Sequence, residues 1–246
     1  RARLSYAVTP RFAPTSSKFQ LKQASKLLNE YPDRDGHKGI LLQTHLNEND
    51  EEINWVKDLY PESKNYFCVY DDYGISGKSS VFGHCIHNTD EEYQKMAETE
   101  SKVSLCPTSN LFLGSGLFDL EKLERYGIDV SLASDVGGGD SFSMFQVMNE
   151  AYKVCRMNDF NLDPVKAFYL TTLGAAKVLN MNDCIGNFEV EKEADFIVVD
   201  LNATEILSQK NKISVNITDT LFNLMTLGDD RLIDEVYILG QRTFKK

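Results

Sequence analysis

At 246 residues, with 42% hydrophobic and 26% charged side chains, the chain has a globular composition. That is enough apolar material for one large domain or one domain plus a small appendage. Its net charge of −11 argues against a nucleic-acid backbone or an anionic membrane as the main partner. No apolar run approaches the roughly 20 residues needed to span a bilayer, and residues 1–5 lack the apolar stretch of a signal peptide. The 5 cysteines are scattered and form no Cys-x-x-Cys pair, which fits reduced thiols in a cytoplasmic protein.

Residues 4–8 read as a strand ended by Thr9-Pro10-Arg11-Phe12, and the proline places Arg11 and Phe12 in the loop beyond it. Thr15 or Ser16 caps a helix reaching about Tyr31, with Phe19, Ala24, Leu27 and Leu28 on its apolar face. A turn at 32–36 follows. Ile40-Leu41-Leu42 is a buried strand, with the polar Gln43-Thr44-His45 directly after it and a helix at 51–59 stopped by Pro61. Next come a short helical piece at 66–70 and a loop to Lys78. The strand Ser80-Val81-Phe82-Gly83-His84 and a helix at 90–96 follow. Val103-Ser104-Leu105-Cys106 is a strand broken by Pro107, with the polar Thr108, Ser109 and Asn110 in the loop after it. A helix near 117–126 precedes the strand 130–135, and Val136-Gly137-Gly138-Gly139 makes a loop where backbone can approach a ligand closely.

Five strand–helix units in succession predict an α/β fold, a parallel sheet with helical crossovers. In four of the five the strand's C-terminal end carries Arg11, His45, His84 or Asp135. Active sites lie at that end in both (β/α)8 barrels and open α/β sheets, so the coincidence points to an enzyme more strongly than any one residue does. After Ser141 the rhythm changes to two amphipathic helices, 142–157 and 164–179, the second capped by Asp163 with Pro164 at its first position. A strand at 194–200, a polar loop at 202–216, a helix at 218–225 and a last strand at 235–239 close the chain. The two late strands read as antiparallel and part of a small β unit. The expected division is 1–183 and 184–246.

His45 is the first candidate metal ligand, since a strand end fixes its backbone and a neutral ring nitrogen can bind a divalent ion. The competing reading is a surface histidine before a helix. Asp135 is the second candidate ligand, because the glycines after it make a poor helix start. His84 reads as a ligand or as a donor to an attacking oxygen, against a buried histidine bonded to backbone. Glu48 is the candidate proton shuttle, against a solvated glutamate in a first helical turn. Arg11 would offer charge-assisted hydrogen bonds to a carbonyl or ring nitrogen, and Phe12 a stacking face for a planar substrate or a piece of core. His37 and His87 lie in loops and carry no assignment. Together these groups suit hydrolytic loss of an amine from a heteroaromatic ring: Asp135 takes the proton of water, His84 aligns the oxygen and Glu48 protonates the ring nitrogen beside the attacked carbon. Spacing alone does not separate this from hydrolysis of another amide-like bond.

Val8-Thr9-Pro10-Arg11-Phe12-Ala13-Pro14-Thr15, Gln43-Thr44-His45-Leu46-Asn47-Glu48-Asn49, Cys106-Pro107-Thr108-Ser109-Asn110-Leu111-Phe112-Leu113-Gly114-Ser115-Gly116 and Ser134-Asp135-Val136-Gly137-Gly138-Gly139 together resemble the guanine deaminase family, part of the amidohydrolase superfamily of zinc-dependent (β/α)8 barrels. The segment 186–200 and Leu227-Gly228-Asp229-Asp230-Arg231 are similar to its C-terminal part, a small β-sandwich unit. The resemblance implies hydrolysis of guanine to xanthine and ammonia. By it, His45 and Asp135 hold one zinc ion, Glu48, His84 and Asp135 are catalytic, and Arg11, Phe12, His45 and Glu48 contact the purine. It also implies a homodimer acting on a small molecule, with no nucleic-acid or membrane partner.

The sequence departs from that pattern in having no His-x-His pair, its histidines being His37, His45, His84 and His87, and in showing five barrel strands rather than eight. Both departures lead to the expectation that the chain is the later part of a longer protein, from about barrel strand four, whose other zinc ligands lie upstream. Without them zinc affinity would be poor and activity lost. Glu191 stands where a glycine is usual, and only a local turn change is expected. The alternatives are a deaminase of another amino-heterocycle, or a metal-free half-barrel acting as a binding module.

Overall fold

The computed structural model describes residues 4–33 and 38–246. Part of the expected turn, Arg34, Asp35 and Gly36, lies outside the described residues, as does His37. In chain order the elements are β1 (Ala7–Val8), α1 (Lys18–Glu30), β2 (Leu41–Leu46), α2 (Asp50–Leu59), α3 (Tyr66–Asp72), β3 (Ser80–His84), α4 (Asp90–Glu98), β4 (Lys102–Leu105), α5 (Pro107–Leu113), α6 (Leu120–Arg125) and β5 (Val130–Leu132). They continue with α7 (Met144–Met157), α8 (Pro164–Thr171), α9 (Leu173–Val178), β6 (Phe196–Val199), α10 (Glu205–Asn211), α11 (Ile217–Leu227), β7 (Ile233–Ile238) and β8 (Gln241–Lys245). The chain divides into two units. The first runs to Leu105 and takes in Gly114–Val130 and Val178–Asn180; the second holds Cys106–Leu113, Ser131–Lys177 and Met181–Lys246.

The first unit is built on the parallel sheet that the strand–helix rhythm predicts. Strand order is β1-β2-β3-β4-β5, with β1 to β4 paired in parallel. β3 is buried along its whole length, as a strand covered on both faces must be. Helix starts follow from side-chain caps that satisfy the first free N–H groups: Ser17 accepts from Gln20 N–H, Asn49 from Glu52 N–H, and Thr89 forms a full capping box with Glu92. The rings of Phe67 and Tyr70 on α3 pack on Phe82 of β3 at centroid distances of 5.3 and 5.5 Å. All three are completely buried, each burial contributing on the order of 1.5–3 kcal/mol. Two expectations are corrected here. The strand at 4–8 is ladder-paired only over Ala7–Val8, and α1 buries Leu21 and Ala24 while Phe19 and Leu27 are exposed.

In the second unit α7, α8 and α11 pack on one another. The single helix expected at 164–179 is broken at Thr172, whose backbone (φ −126°, ψ −99°) is non-helical. Pro107 begins α5 instead of leaving a loop, and α10 occupies part of the expected polar loop at 202–216. The late strands are antiparallel as expected, but there are three of them, in the order β6-β7-β8. Phe196 and Tyr237 stand opposite in register and stack with centroids 4.5 Å apart, a cross-strand pair of the stabilising kind. Glu191 has φ 76°, the left-handed region that costs a residue with a Cβ roughly 1–2 kcal/mol.

One electrostatic feature of this sheet has a measurable consequence. Glu235 accepts a 2.6 Å hydrogen bond from Tyr237 Oη and lies 3.0 Å from Lys245 Nζ and 3.1 Å from Arg242 Nη1. The Tyr237 hydrogen bond and then Lys245 hold its carboxyl down from 4.5 to about 2. A carboxyl depressed in the folded state stabilises it above the unfolded value and loses that contribution as pH falls toward about 2. Thermal melts followed by circular dichroism between pH 6 and pH 2 should therefore show a falling midpoint, and Glu235→Gln should flatten that acid limb. An unchanged limb would detach Glu235 from the acid sensitivity.

Candidate active site

β2 ends at Leu46, and the chain then turns through Asn47 in the left-handed region, φ 49°. A non-glycine residue holds that conformation only where its surroundings fix it. Here the Asn47 carbonyl accepts from the N–H groups of Ile86 and His87, both at 3.2 Å. Its side-chain amide donates to Asn88 Oδ1 at 2.8 Å and to Glu92 Oε1 at 3.0 Å. His84 and Cys85, at the end of the neighbouring β3, are also left-handed, with φ 68° and 51°. Adjacent strand ends thus turn sharply at the same level and present His45, Glu48 and His84 together.

The rings of His45 and His84 meet edge to face, 4.8 Å between centroids and 89° between planes. Glu48 Oε2 lies 3.7 Å from His84 Nε2, too far for a hydrogen bond, with His84 1% and Glu48 14% exposed. One ligand atom from each of His45, Glu48 and His84 falls within 4.8 Å of the others. Two imidazoles and a carboxylate are a donor set suited to a divalent ion such as zinc, and the three residues fit one. The other carboxylate oxygen, Glu48 Oε1, accepts a 3.1 Å hydrogen bond from Ser115 Oγ. The Ser115 carbonyl lies 2.8 Å from His87 Nε2; a carbonyl can only accept, so that nitrogen carries the proton.

Phe12 is half-buried beside His45, with centroids 5.8 Å apart, and meets the edge of Trp55 at 6.4 Å. The guanidinium carbon of Arg11 sits 5.0 Å from the centre of the Phe12 ring. Beneath these residues lies a buried polar layer. Tyr70 Oη accepts from Ala13 N–H at 2.9 Å and donates to the His45 carbonyl at 2.8 Å. Tyr66 Oη donates to Glu52 Oε1 at 2.6 Å, and Glu52 Oε2 accepts from Glu48 N–H at 3.2 Å. Burial pushes both phenols well above their ordinary range, so they remain donors. Burial likewise raises the Glu52 carboxyl, against the lowering effect of the Tyr66 hydrogen bond.

Asp135 belongs to the second unit, where it follows β5 with φ 46°. Its carbonyl accepts from the N–H groups of Gly138 (3.1 Å) and Gly139 (2.6 Å). The glycines serve this turn directly: a Cβ on Gly139 would stand 2.0 Å from the Ser134 carbonyl oxygen, and one on Gly138 would stand 2.6 Å from Ser109 Oγ. Of the residues singled out in the sequence, the first unit brings together Arg11, Phe12, His45, Glu48 and His84. His87, which carried no assignment, contacts the backbone of Ser115, and Ser115, Glu52, Tyr66 and Tyr70 were not singled out at all. Glycine on both sides of Ser115, with φ 73° at Gly114 and 134° at Gly116, was the available signal of a shaped loop.

The amidohydrolase family pattern matches residues 2–243. A curated guanine deaminase of Escherichia coli is 48% identical over 244 residues, covering 99% of this chain and 54% of that protein. Among solved structures, E. coli guanine deaminase superposes with a TM-score of 0.95 at 47% identity, covering 99% of this chain and 56% of that one. A guanine deaminase from C. acetobutylicum with guanine bound in its active site gives 0.84 at 31% identity, covering 96% and 54%. The chain spans about half the length of the curated relatives it matches.

Proposed function

Since the chain belongs to the amidohydrolase family, we propose that it carries the later part of a guanine deaminase active site, converting guanine and water to xanthine and ammonia. The observation that carries this reading is the grouping of His45, Glu48 and His84 within 4.8 Å at neighbouring parallel strand ends, in a chain whose solved relatives include one with guanine in its active site. In this reading β1 to β5 are strands of a (β/α)8 barrel within residues 1–183, and β6 to β8 within 184–246 contribute to a β-sandwich.

His45 and Asp135 would hold one zinc ion, which when bound would bring the pKa of water to about 7. Glu48 moves the proton: its carboxylate, oriented by Ser115, delivers it to the purine nitrogen beside the carbon that loses its amine. His84, almost fully enclosed, hydrogen-bonds and aligns the attacking oxygen, and Asp135 accepts its proton and passes it to the departing amine, which leaves as ammonia. Phe12 offers the purine an aromatic face, and Arg11 donates to its carbonyl or ring nitrogen. We place the protein in the cytoplasm as a homodimer; the cysteines are free thiols, and among the described residues no helix is long and apolar enough to cross a membrane.

Ammonia release from guanine, xanthine formation and bound zinc, measured on this chain and on one extended N-terminally to the relatives' length, test the reading. The extended chain is expected to hold one zinc per chain and give ammonia and xanthine in equal amounts. Zinc retained with guanine untouched and another amino-heterocycle deaminated would overturn the substrate assignment.

A further inference from the structure

The site residues stand on a buried polar layer whose connectivity is specific. Tyr70, Tyr66 and Glu52 are 0%, 3% and 6% exposed. Buried polar groups of this kind are costly unless fully satisfied, and here their hydrogen bonds run to the backbone of the functional strand ends. Tyr70 Oη takes the Ala13 N–H just after Arg11 and Phe12, and gives its proton to the His45 carbonyl. Thr44 Oγ1 lies 3.2 Å from both Tyr70 Oη and the Arg11 carbonyl, so one rotor joins the two loops. Tyr66, one turn before Tyr70 on α3, spends its proton on Glu52 Oε1, and Glu52 Oε2 holds the N–H of Glu48. The backbone groups on the two sides of the left-handed Asn47 are therefore anchored separately, the His45 carbonyl to Tyr70 of α3 and the Glu48 N–H to Glu52 of α2.

We propose that Glu52, acting with Tyr66, is a positioning residue for the deamination, fixing the backbone of Glu48 so that its carboxylate leaves the turn in one direction. This rests on the reading of Glu48 as proton shuttle. Placement of such a group to within about half an ångström is what the chemistry needs, and misplacement by about 1 Å costs on the order of 10²-fold in rate. A carboxylate four residues downstream of Glu48 suits the task. Glu52 stands in the first turn of α2, where one oxygen can cap the Glu48 N–H just ahead of the helix while the other is locked by a phenol.

The test is Glu52→Ala beside Glu52→Gln, with two readouts. Hydrogen exchange of the Glu48 amide, followed by NMR on this chain, should accelerate by about tenfold or more in Glu52→Ala. In the N-terminally extended chain kcat should fall roughly 10²-fold with KM and bound zinc little changed. Glu52→Gln, which keeps an oxygen for the Glu48 N–H, should restore both. Should Glu52→Ala fail to fold, Tyr66→Phe, which keeps the ring, carries the same readouts. Unchanged exchange of the Glu48 amide overturns the proposal, and so does faster exchange with kcat intact. A parent chain that releases no ammonia from guanine removes the functional reading instead, and the amide exchange still decides whether Glu52 fixes the turn.

Discussion

Glu48→Gln is expected to lower ammonia release from guanine by roughly 10²–10⁴-fold, the range a positioned acid–base group contributes, with the fold intact. The substitution keeps the shape of the side chain and an oxygen that can still accept from Ser115 Oγ. The Glu48 N–H, held by Glu52, and the capped start of α2 at Asn49 are untouched. What is lost is the carboxyl group itself, and with it a side chain that can take up and release a proton. Bound metal, measured by elemental analysis beside kcat, separates the two roles that the geometry allows. Zinc retained with turnover lost makes Glu48 the shuttle. Loss of both makes it a ligand, consistent with its oxygen lying within 4.8 Å of the nitrogens of His45 and His84. Full turnover would take Glu48 out of the mechanism.

The site could be glimpsed in the sequence because three of its residues sit at a position that sequence marks well. An apolar run stopped by polar residues fixes a strand end, and Ser80–His84 is a strand over the bounds expected of it. The supporting layer could not be seen. Ser115 reaches Glu48 across 67 residues, and Tyr70 reaches the His45 carbonyl across 25; such contacts depend on register and helix placement, which periodicity does not encode. Errors elsewhere have equally local causes. Pro107 closes the apolar strand pattern and at once begins α5, because a ring that fixes φ and lacks an N–H also suits the first turn of a helix. β8, Gln-Arg-Thr-Phe-Lys, is exposed at every residue, so no inside–outside alternation betrays it. α10 buries only Leu207, leaving a pattern that reads as a polar loop. α1 turns Leu21 and Ala24 inward and leaves Phe19 and Leu27 exposed, a choice of face that its apolar pattern alone does not decide.

Phe82→Ala is expected to destabilise the first unit by about 3–5 kcal/mol, the usual cost of removing a fully buried phenylalanine. Phe82 is 0% exposed on a strand flanked by β2 and β4, and its ring is enclosed by Phe67 and Tyr70. Those two neighbours are anchored, Phe67 through its N–H on Glu92 and Tyr70 through its hydroxyl, so the cavity has little scope to collapse. Phe82→Leu, which refills part of the volume, should recover more than half of the loss. The single tryptophan, Trp55, lies in this unit, so urea unfolding followed by its fluorescence isolates the effect. The midpoint should fall at unchanged slope if the native state alone is affected. A loss under about 1 kcal/mol would mean that Tyr70 relaxes into the space. That outcome would carry its hydroxyl away from the His45 carbonyl, so the two variants also measure how firmly packing beneath the sheet holds the site above it.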